Sequence, residues 1–224
     1  MLFFLLERQK RLKTDGFAKM KAPLSELILH ISAENISFFL GILQTGVQIR
    51  VVSKTSLGDF LCKCPGFSLR YVEKEVQTIF INGKAVDDLQ TPLSGRQPVV
   101  AISAAMPGLA GAIFRRNGLH ASLRTSPGPE PEREERVQGN ETIEVTLKLF
   151  NTILRDKGEE ILRSGVVIAS ARLVDFLEKR RELLEMIEKA SLDAREISVD
   201  ELLSLVGEEG SLKLRLCTKQ PDEL

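Results

Sequence analysis

The chain has 224 residues, 43% hydrophobic and 28% charged, which is the balance of a folded globular protein. Its 31 basic side chains equal its 31 acidic ones, so the formal net charge at pH 7 is zero. This balance argues against nucleic-acid binding, because affinity for phosphate backbones comes from a surplus of lysine and arginine. The three cysteines, an odd number, predict no disulfide framework and favour a reducing, cytoplasmic location.

The first residues, MLFFLLERQKRLK, place a short apolar run before a basic one. A secretory signal has the opposite order, and the run is too short to span a bilayer. We interpret residues 1–24 as an N-terminal extension, or as sequence preceding a true start at Met20. A short amphipathic anchor is the alternative interpretation, and no membrane span is predicted.

A polar segment divides the chain. Its sequence, SLRTSPGPEPEREERVQGNE, has three prolines, many charges and almost nothing apolar, so burial cannot offset the entropy of ordering it. We predict a charged, proline-rich linker over residues 119–141. It separates an N-terminal domain over residues 25–118 from a C-terminal domain over residues 142–224, and no repeat is predicted to relate the two.

Local patterns in the N-terminal domain predict the order strand, helix, strand, helix, hairpin, strand. ELILHIS and VQIRVVS have strand composition, and Ser32 and Ser56 stand where the N-caps of the following helices belong. Asn82 and Gly83 tolerate the positive φ angles of a type I′ hairpin turn. The apolar run PVVAIS, which ends at Ser103, predicts a strand buried on both faces.

This order of elements resembles the β-grasp sulfur carriers, the small subunit of molybdopterin synthase and the thiamine-biosynthesis sulfur carrier. The match covers about residues 25–112 and rests on residues of the second helix, of the hairpin and of the last strand. These residues are Thr55, Leu57, Phe60, Leu61, residues 81–86, Thr91, Pro92, Leu93, Gly95, Val99 and Val100. The resemblance implies a β-grasp, ubiquitin-like mixed sheet that docks partners through its exposed face and the strand ending near Ser103.

The carriers end in a flexible glycine pair whose carboxylate is activated, whereas this chain continues as PGLAGAIFRRNG. The candidate residues for a tail or for partner docking are Met106, Pro107, Gly108, Gly111, Arg115 and Arg116. Because a carboxylate locked in a peptide bond cannot be activated, carrier chemistry would require proteolytic cleavage after Gly108 or Gly111. The resemblance therefore implies a shared fold more than a shared reaction.

The C-terminal domain predicts a strand, IEVTLKLF, that passes into a helix ending at Gly165. Ser170 is predicted to cap a long helix over ARLVDFLEKRRELLEMIEKA, and Ser198 to begin a capping box before a last strand, SLKLRLCT. The apolar stripe of the long helix contains Leu173, Leu177, Leu184 and Ile187. We interpret this stripe as core, with a homodimer through it as the alternative.

The sequence supplies few groups for catalysis. His30 lies in a predicted strand and His120 near the linker, and no nucleophile elbow, zinc-protease, phosphate-loop or dinucleotide motif occurs. Cys62 and Cys64 form a C-x-C, which we interpret as small apolar residues rather than metal ligands. We therefore predict no catalytic residue, no cofactor and no metal site.

Two glycine-based alternatives centre on the same segment. Gly108 and Gly111 match the outline of the RNA-binding KH loop, but Leu109 and Ala110 replace the polar pair that meets RNA. Arg115 and Arg116 could bind a phosphate or a carboxylate at a glycine turn, as in a small-molecule or nucleotide-binding enzyme.

Together these observations predict an α+β protein, with an N-terminal β-grasp sheet and packed helices followed by a smaller, mostly helical α+β domain. The predicted function is a non-catalytic adaptor that binds a protein partner, in a pathway linked to sulfur or cofactor metabolism. The alternatives are a sulfur-carrier precursor and a small-molecule or nucleotide-binding enzyme.

Overall fold

The structure, a computed structural model, describes residues 24–124, 141–207 and 210–218. The predicted N-terminal extension up to residue 23, with Met20, and residues 125–140 of the predicted linker lie outside the described residues. The described chain is an α+β protein built on one mixed sheet of ten strands. The strands are β1 (Glu26–Ile31), β2 (Val47–Val52), β3 (Thr78–Ile81), β4 (Lys84–Ala85), β5 (Val99–Ser103), β6 (Thr142–Phe150), β7 (Val166–Ala169), β8 (Ile187–Leu192), β9 (Arg195–Ile197) and β10 (Ser211–Thr218).

The strand order across the sheet is β4-β3-β5-β6-β2-β7-β10-β1-β8-β9. Strands β5 and β6 run parallel, as do β1 and β10, and the other neighbouring pairs of described strands are antiparallel. The α-helices are α1 (Ile36–Phe39), α2 (Ile42–Thr45), α3 (Leu57–Cys62), α4 (Leu69–Glu75), α5 (Gly108–Phe114), α6 (Asn151–Ser164), α7 (Ser170–Glu178), α8 (Glu182–Glu185) and α9 (Val199–Gly207).

The core lies on one face of the sheet. Alternate residues of β1 and β10, such as Leu27, Leu29 and Leu214, are fully buried and belong to one apolar cluster with the helices. This period of two is expected of strands with one face in the core. The opposite face, which we call the open face, presents Arg50 and Val52 of β2, Phe80 of β3 and neighbouring side chains that are partly or well exposed.

No helix in the described part of the chain combines the length and the apolar character needed to cross a membrane. The longest, α6, has 14 residues and carries charged side chains along its length. A transmembrane helix needs about 20 mostly apolar residues.

Strands from both predicted domains alternate within the single sheet. Strand β1 pairs with β8 and β10, and β2 pairs with β6 and β7, so both early strands lie beside strands that follow the predicted linker. The boundaries at residues 118 and 142 stay a prediction, but the sheet is not divided at them. One buried apolar cluster likewise contains residues from both sides of these boundaries.

The two parts of the chain repeat each other, so the prediction of no repeat is wrong. Both follow the order strand, helix, strand, helix, strand, strand, from β1 to β4 and again from β6 to β9. Residues 42–49, ILQTGVQI, and 161–168, ILRSGVVI, are identical at five of eight positions. In each, a helix ends at a glycine with positive φ, 108° at Gly46 and 90° at Gly165, and a strand follows.

The repeats meet at equivalent positions in the middle of the sheet. Gln48 and Val167 occupy the seventh position of their respective segments, and they pair directly across antiparallel β2 and β7. Equivalent positions face each other in this way when two copies are related by a local two-fold axis. The centre of the sheet is therefore a junction between repeats.

Several local predictions are confirmed. The Ser56 hydroxyl accepts a hydrogen bond from the Asp59 amide at 3.1 Å, and Ser198 and Glu201 form the predicted capping box. The hairpin between β3 and β4 turns at Asn82 and Gly83, whose φ angles are 50° and 78°. The strand from Val99 to Ser103 and the passage of β6 into α6 also form, but Val99 and Ala101 are partly exposed, so the prediction that this strand is buried on both faces is wrong.

Two helix predictions are wrong. The long helix from Ser170 ends at Glu178, and Ile187 instead begins β8, which pairs with β1. Leu177 is fully buried in the core, as the interpretation of the stripe as core requires. Ser32 makes no capping hydrogen bond with its side chain, and the predicted helix after it is divided into a 3₁₀ turn and the short helices α1 and α2.

Candidate docking site

A cleft lies where the parallel strands β5 and β6 end. Ser103 and Phe150 are register partners at their carboxyl ends, so the chain leaves both strands at one edge of the sheet. After β6 it enters α6, which packs into the core through Ile153. After β5 it turns to α5, whose Phe114 ring lies 5.3 Å from the ring of Phe80 on the open face. A crevice is expected where connections leave a parallel pair towards opposite faces.

The cleft has a volume of about 290 Å³ and a mostly apolar lining. We call it the docking cleft, and its lining residues are Phe80, Ala101, Ile102, Ser103, Met106, Phe150 and Asn151. Phe80 and Phe150 come from the open faces of β3 and β6, whereas Met106 comes from the turn that follows β5. The docking cleft is thus continuous with the open face.

A hydrogen bond between a buried serine and an exposed asparagine fixes the polar end of the docking cleft. The Asn151 side-chain amide donates to the Ser103 hydroxyl at 2.7 Å, and Ser103 is almost fully buried. Asn151 has a φ of 54°, a left-handed conformation that asparagine tolerates better than most residues. Thr78, the register partner of Ser103 on β3, is also buried, and its hydroxyl has no hydrogen-bond partner among the described residues.

Only Met106 of the candidate tail residues lines the docking cleft. Pro107 precedes α5, and Gly108 begins it with a φ of 73°. Gly111 is buried inside α5, directly below the Met106 carbonyl, where an added Cβ would lie 1.8 Å from that oxygen. The segment from Gly108 to Phe114 is therefore a helix, and Gly111 allows Met106 to fold back over it.

The two arginines bind the chain itself. Arg115 Nε donates to the side-chain oxygen of Gln77 at 3.1 Å, and Arg116 Nη2 donates to the Glu73 carbonyl at 2.9 Å. Glu73 belongs to α4, so Arg116 supplies the cation that a helix C-terminus favours. Partial burial lowers the pKa of Arg116, and the nearby Glu73 carboxylate opposes that shift. Both side chains hold α5 against α4 and β3.

Arg124, which follows α5 in the chain, also helps to hold α5 in place. Its guanidinium forms an ion pair with Asp87 at 2.9 Å and donates to the carbonyl oxygens of Ile113 and Arg115. The Asp87 carboxylate also accepts a hydrogen bond from the Asn117 amide at 3.2 Å. The position of α5, and with it one wall of the docking cleft, depends on these contacts.

The cysteines and histidines do not come together at the docking cleft. Cys62 is exposed while Cys64 is buried, and burial raises the pKa of the Cys64 thiol to about 12, so this thiol is neutral near pH 7. His30 lies in β1 and His120 follows α5. No group of three potential metal-ligating side chains occurs in the ranges that the structure describes.

The sequence did not indicate Phe80, Phe150, Ser103 or Asn151 as one site. Ser103 and Asn151 are 48 residues apart, on either side of the predicted linker, and only the parallel pairing of β5 with β6 joins them. An asparagine directly after an alternating strand was the available signal, because asparagine favours positive φ where a chain changes direction.

Native protein is expected to keep the peptide bonds after Gly108 and Gly111 intact. Proteases cleave exposed and extended segments, whereas both glycines belong to α5 and Gly111 is buried. Intact-mass spectrometry of protein from its native source checks this expectation. A fragment ending in the carboxylate of Gly108 or Gly111 would contradict it and would support the sulfur-carrier precursor.

The docking cleft offers binding groups and no acid or base. Its side chains are aromatic, aliphatic, hydroxyl, amide and thioether groups, none of which titrates near pH 7. General acid-base catalysis needs such a titrating group beside the substrate.

Comparison with protein-family models, with curated proteins and with solved structures finds no match for the chain.

Proposed function

We propose that the chain is a non-catalytic, cytoplasmic interaction module that binds a protein partner at the docking cleft and the adjoining open face. The observation that carries this proposal is the composition of the docking cleft, two aromatic walls and a methionine around the partly buried Ser103–Asn151 hydrogen bond. Interface hot spots are apolar pockets of this kind, filled by one or two side chains and surrounded by polar groups.

The resemblance to β-grasp sulfur carriers supports partner docking at the same surface. Some of its residues lie on β3, on the Asn82–Gly83 turn and on β5, and β5 ends in the docking cleft. In the carriers, the sheet face and the last strand dock the partner. We therefore extend the proposal to a β-grasp arrangement of these elements and to a partner in sulfur or cofactor metabolism.

The partner is expected to insert an apolar side chain next to a hydrogen-bonding main-chain group. A volume of about 290 Å³ is large enough for a leucine or phenylalanine side chain, and Phe80 and Phe150 present ring surface to it. Thr78 of β3 and Ser103 of β5, which are register partners, provide buried hydroxyl groups beside the docking cleft. The zero net charge of the chain fits a protein partner better than a nucleic acid.

Site-specific photo-crosslinking tests the proposal. A photoreactive phenylalanine analogue at position 106 is expected to crosslink one reproducible partner in native extract, because Met106 lines the docking cleft. Phe150→Glu should reduce this crosslink by tenfold or more, because burying a charge without a partner in an apolar pocket costs at least about 1.4 kcal/mol. Quantitative mass spectrometry of the crosslinked band measures both results.

The same analogue at position 38 provides the matched control. Phe38 is also an exposed aromatic residue, but it lies on α1 and does not line the docking cleft. The position-38 protein should not crosslink the partner found from position 106. Equal crosslinking from both positions, or full crosslinking of Phe150→Glu from position 106, would contradict docking at this cleft.

A further inference from the structure

The junction between the repeats leaves a gap in the sheet. Strands β2 and β7 pair only through Gln48 and Val167, whereas β2 pairs with β6 through six residues of each strand. Beyond the Gln48 pair, the described residues of β2 and β7 form no further register pair, and Ile49, Arg50 and Gly165 line a cavity there. The two strands therefore enclose space at the point where the two repeats meet.

This space is a cavity of about 340 Å³, which we call the junction cavity. Its walls are largely apolar and include Val47, Ile49, Leu147, Ile161 and Val166. The volume falls at the lower end of the range of about 300–1,000 Å³ found for small-molecule pockets. Such pockets also occur preferentially where two structural units meet.

Two cations stand at the rim of the junction cavity. Arg50 and Lys63 line it with exposed side chains, and neither has an ion-pair or hydrogen-bond partner for its side chain among the described residues. Glu144, the single carboxylate in the lining, is the register partner of Arg50 across β2 and β6, but it forms no ion pair within 4.0 Å in the described chain, so the rim carries one net positive charge. An apolar interior with a net positive rim is complementary to a ligand with an apolar body and one negative group.

We propose that the junction cavity binds a medium-chain carboxylic acid, with its hydrocarbon chain between β2 and β7 and its carboxylate at Arg50 and Lys63. A methylene group occupies roughly the 30 Å³ of a water molecule, so the cavity accepts a chain of about ten carbons. This site is separate from the docking cleft, because the two have no lining residue in common. The proposal therefore does not depend on partner docking.

Titration of the folded chain with decanoate and with 1-decanol tests the site. Decanoate should bind saturably and shift the amide NMR signals of residues 47–50 and 164–167, which line the cavity. The alcohol should bind about tenfold more weakly, because it has the same chain length but lacks the charge. Absence of saturable decanoate binding, or shifts centred on Phe80 and Phe150, would overturn the proposal.

Two variants separate the charged rim from the apolar interior. Arg50→Gln with Lys63→Gln should weaken decanoate binding about fivefold and leave 1-decanol binding unchanged. Ser164→Phe, which fills the cavity from the end of α6, should weaken both. The exposed Arg70→Gln is the matched charge control. Unchanged decanoate affinity in the double variant would overturn the assigned carboxylate position, even if Ser164→Phe failed to fold.

Discussion

Replacing Gly111 with alanine is expected to destabilise the protein by about 1–3 kcal/mol and to displace Met106 from the docking cleft. The new Cβ would lie 1.8 Å from the Met106 carbonyl oxygen and 2.5 Å from its carbon. Both neighbours are main-chain atoms, so a side-chain rotation cannot relieve the contact. Urea denaturation measures the loss of stability, and the yield of the crosslink from position 106 measures the movement of the cleft wall.

Gly207→Ala is the matched control for this change. Gly207 ends α9, and an added Cβ there meets nothing within 4 Å. Alanine is the better helix former, so this variant should be neutral or slightly more stable. A Gly111→Ala protein as stable as the native chain, with an unchanged crosslink yield, would show that Met106 is not held by close packing on α5.

Interactions between residues close together in the sequence were sufficient to predict the elements that begin or end at a recognisable turn or cap. The Asn82–Gly83 turn satisfies its own backbone requirements, and Ser198 with Glu201 satisfies the first amides of α9 within four residues. Burial of alternate residues likewise marks β6 from its own sequence. Such features form in the same way whatever the rest of the chain does.

The region after Ser170 shows where local chemistry was insufficient. The apolar spacing through Leu173, Leu184 and Ile187 fits a helix, but residues from Ile187 form β8 between β1 and β9. Strand pairing with β1, which lies about 160 positions earlier in the chain, outweighs a helix propensity of a few tenths of a kcal/mol per residue. Asp193 and Ala194 then turn the chain with positive φ angles.

The docking cleft and the junction cavity also depend on long-range pairing. The docking cleft needs β5 beside β6, and the junction cavity needs β2 beside β7. The similarity between residues 42–49 and 161–168 was visible in the sequence, but its meaning required the pairing of Gln48 with Val167. Each site is built by strands from both sides of the linker. The interpretation of the sequence as two separate domains therefore gave no reason to place these strands together, and neither site was predicted.

Phe60→Ala and Phe176→Ala are each expected to lower the free energy of unfolding by about 3–5 kcal/mol, and to weaken both halves of the sheet equally. The two residues occupy corresponding DFL sequences, one in α3 and one in α7, and both are almost fully buried in the single apolar cluster. Because β2 and β6 join the halves in one hydrogen-bonded sheet, loss of packing on one side should be transmitted to the other.

Hydrogen exchange measured by mass spectrometry distinguishes one cooperative sheet from two independent domains. In Phe176→Ala, peptides covering β5 should exchange faster by the same factor as peptides covering β10, although Phe176 lies in the second repeat.

Phe176→Leu provides a milder change if the alanine variant does not fold, and the exposed Phe38→Ala should leave exchange unchanged. Faster exchange confined to the mutated repeat would contradict the single cooperative sheet and favour independent domains over residues 25–118 and 142–224. Equal acceleration would mean that a ligand bound at the junction cavity stabilises the docking cleft as well, because both sites belong to the same unfolding unit.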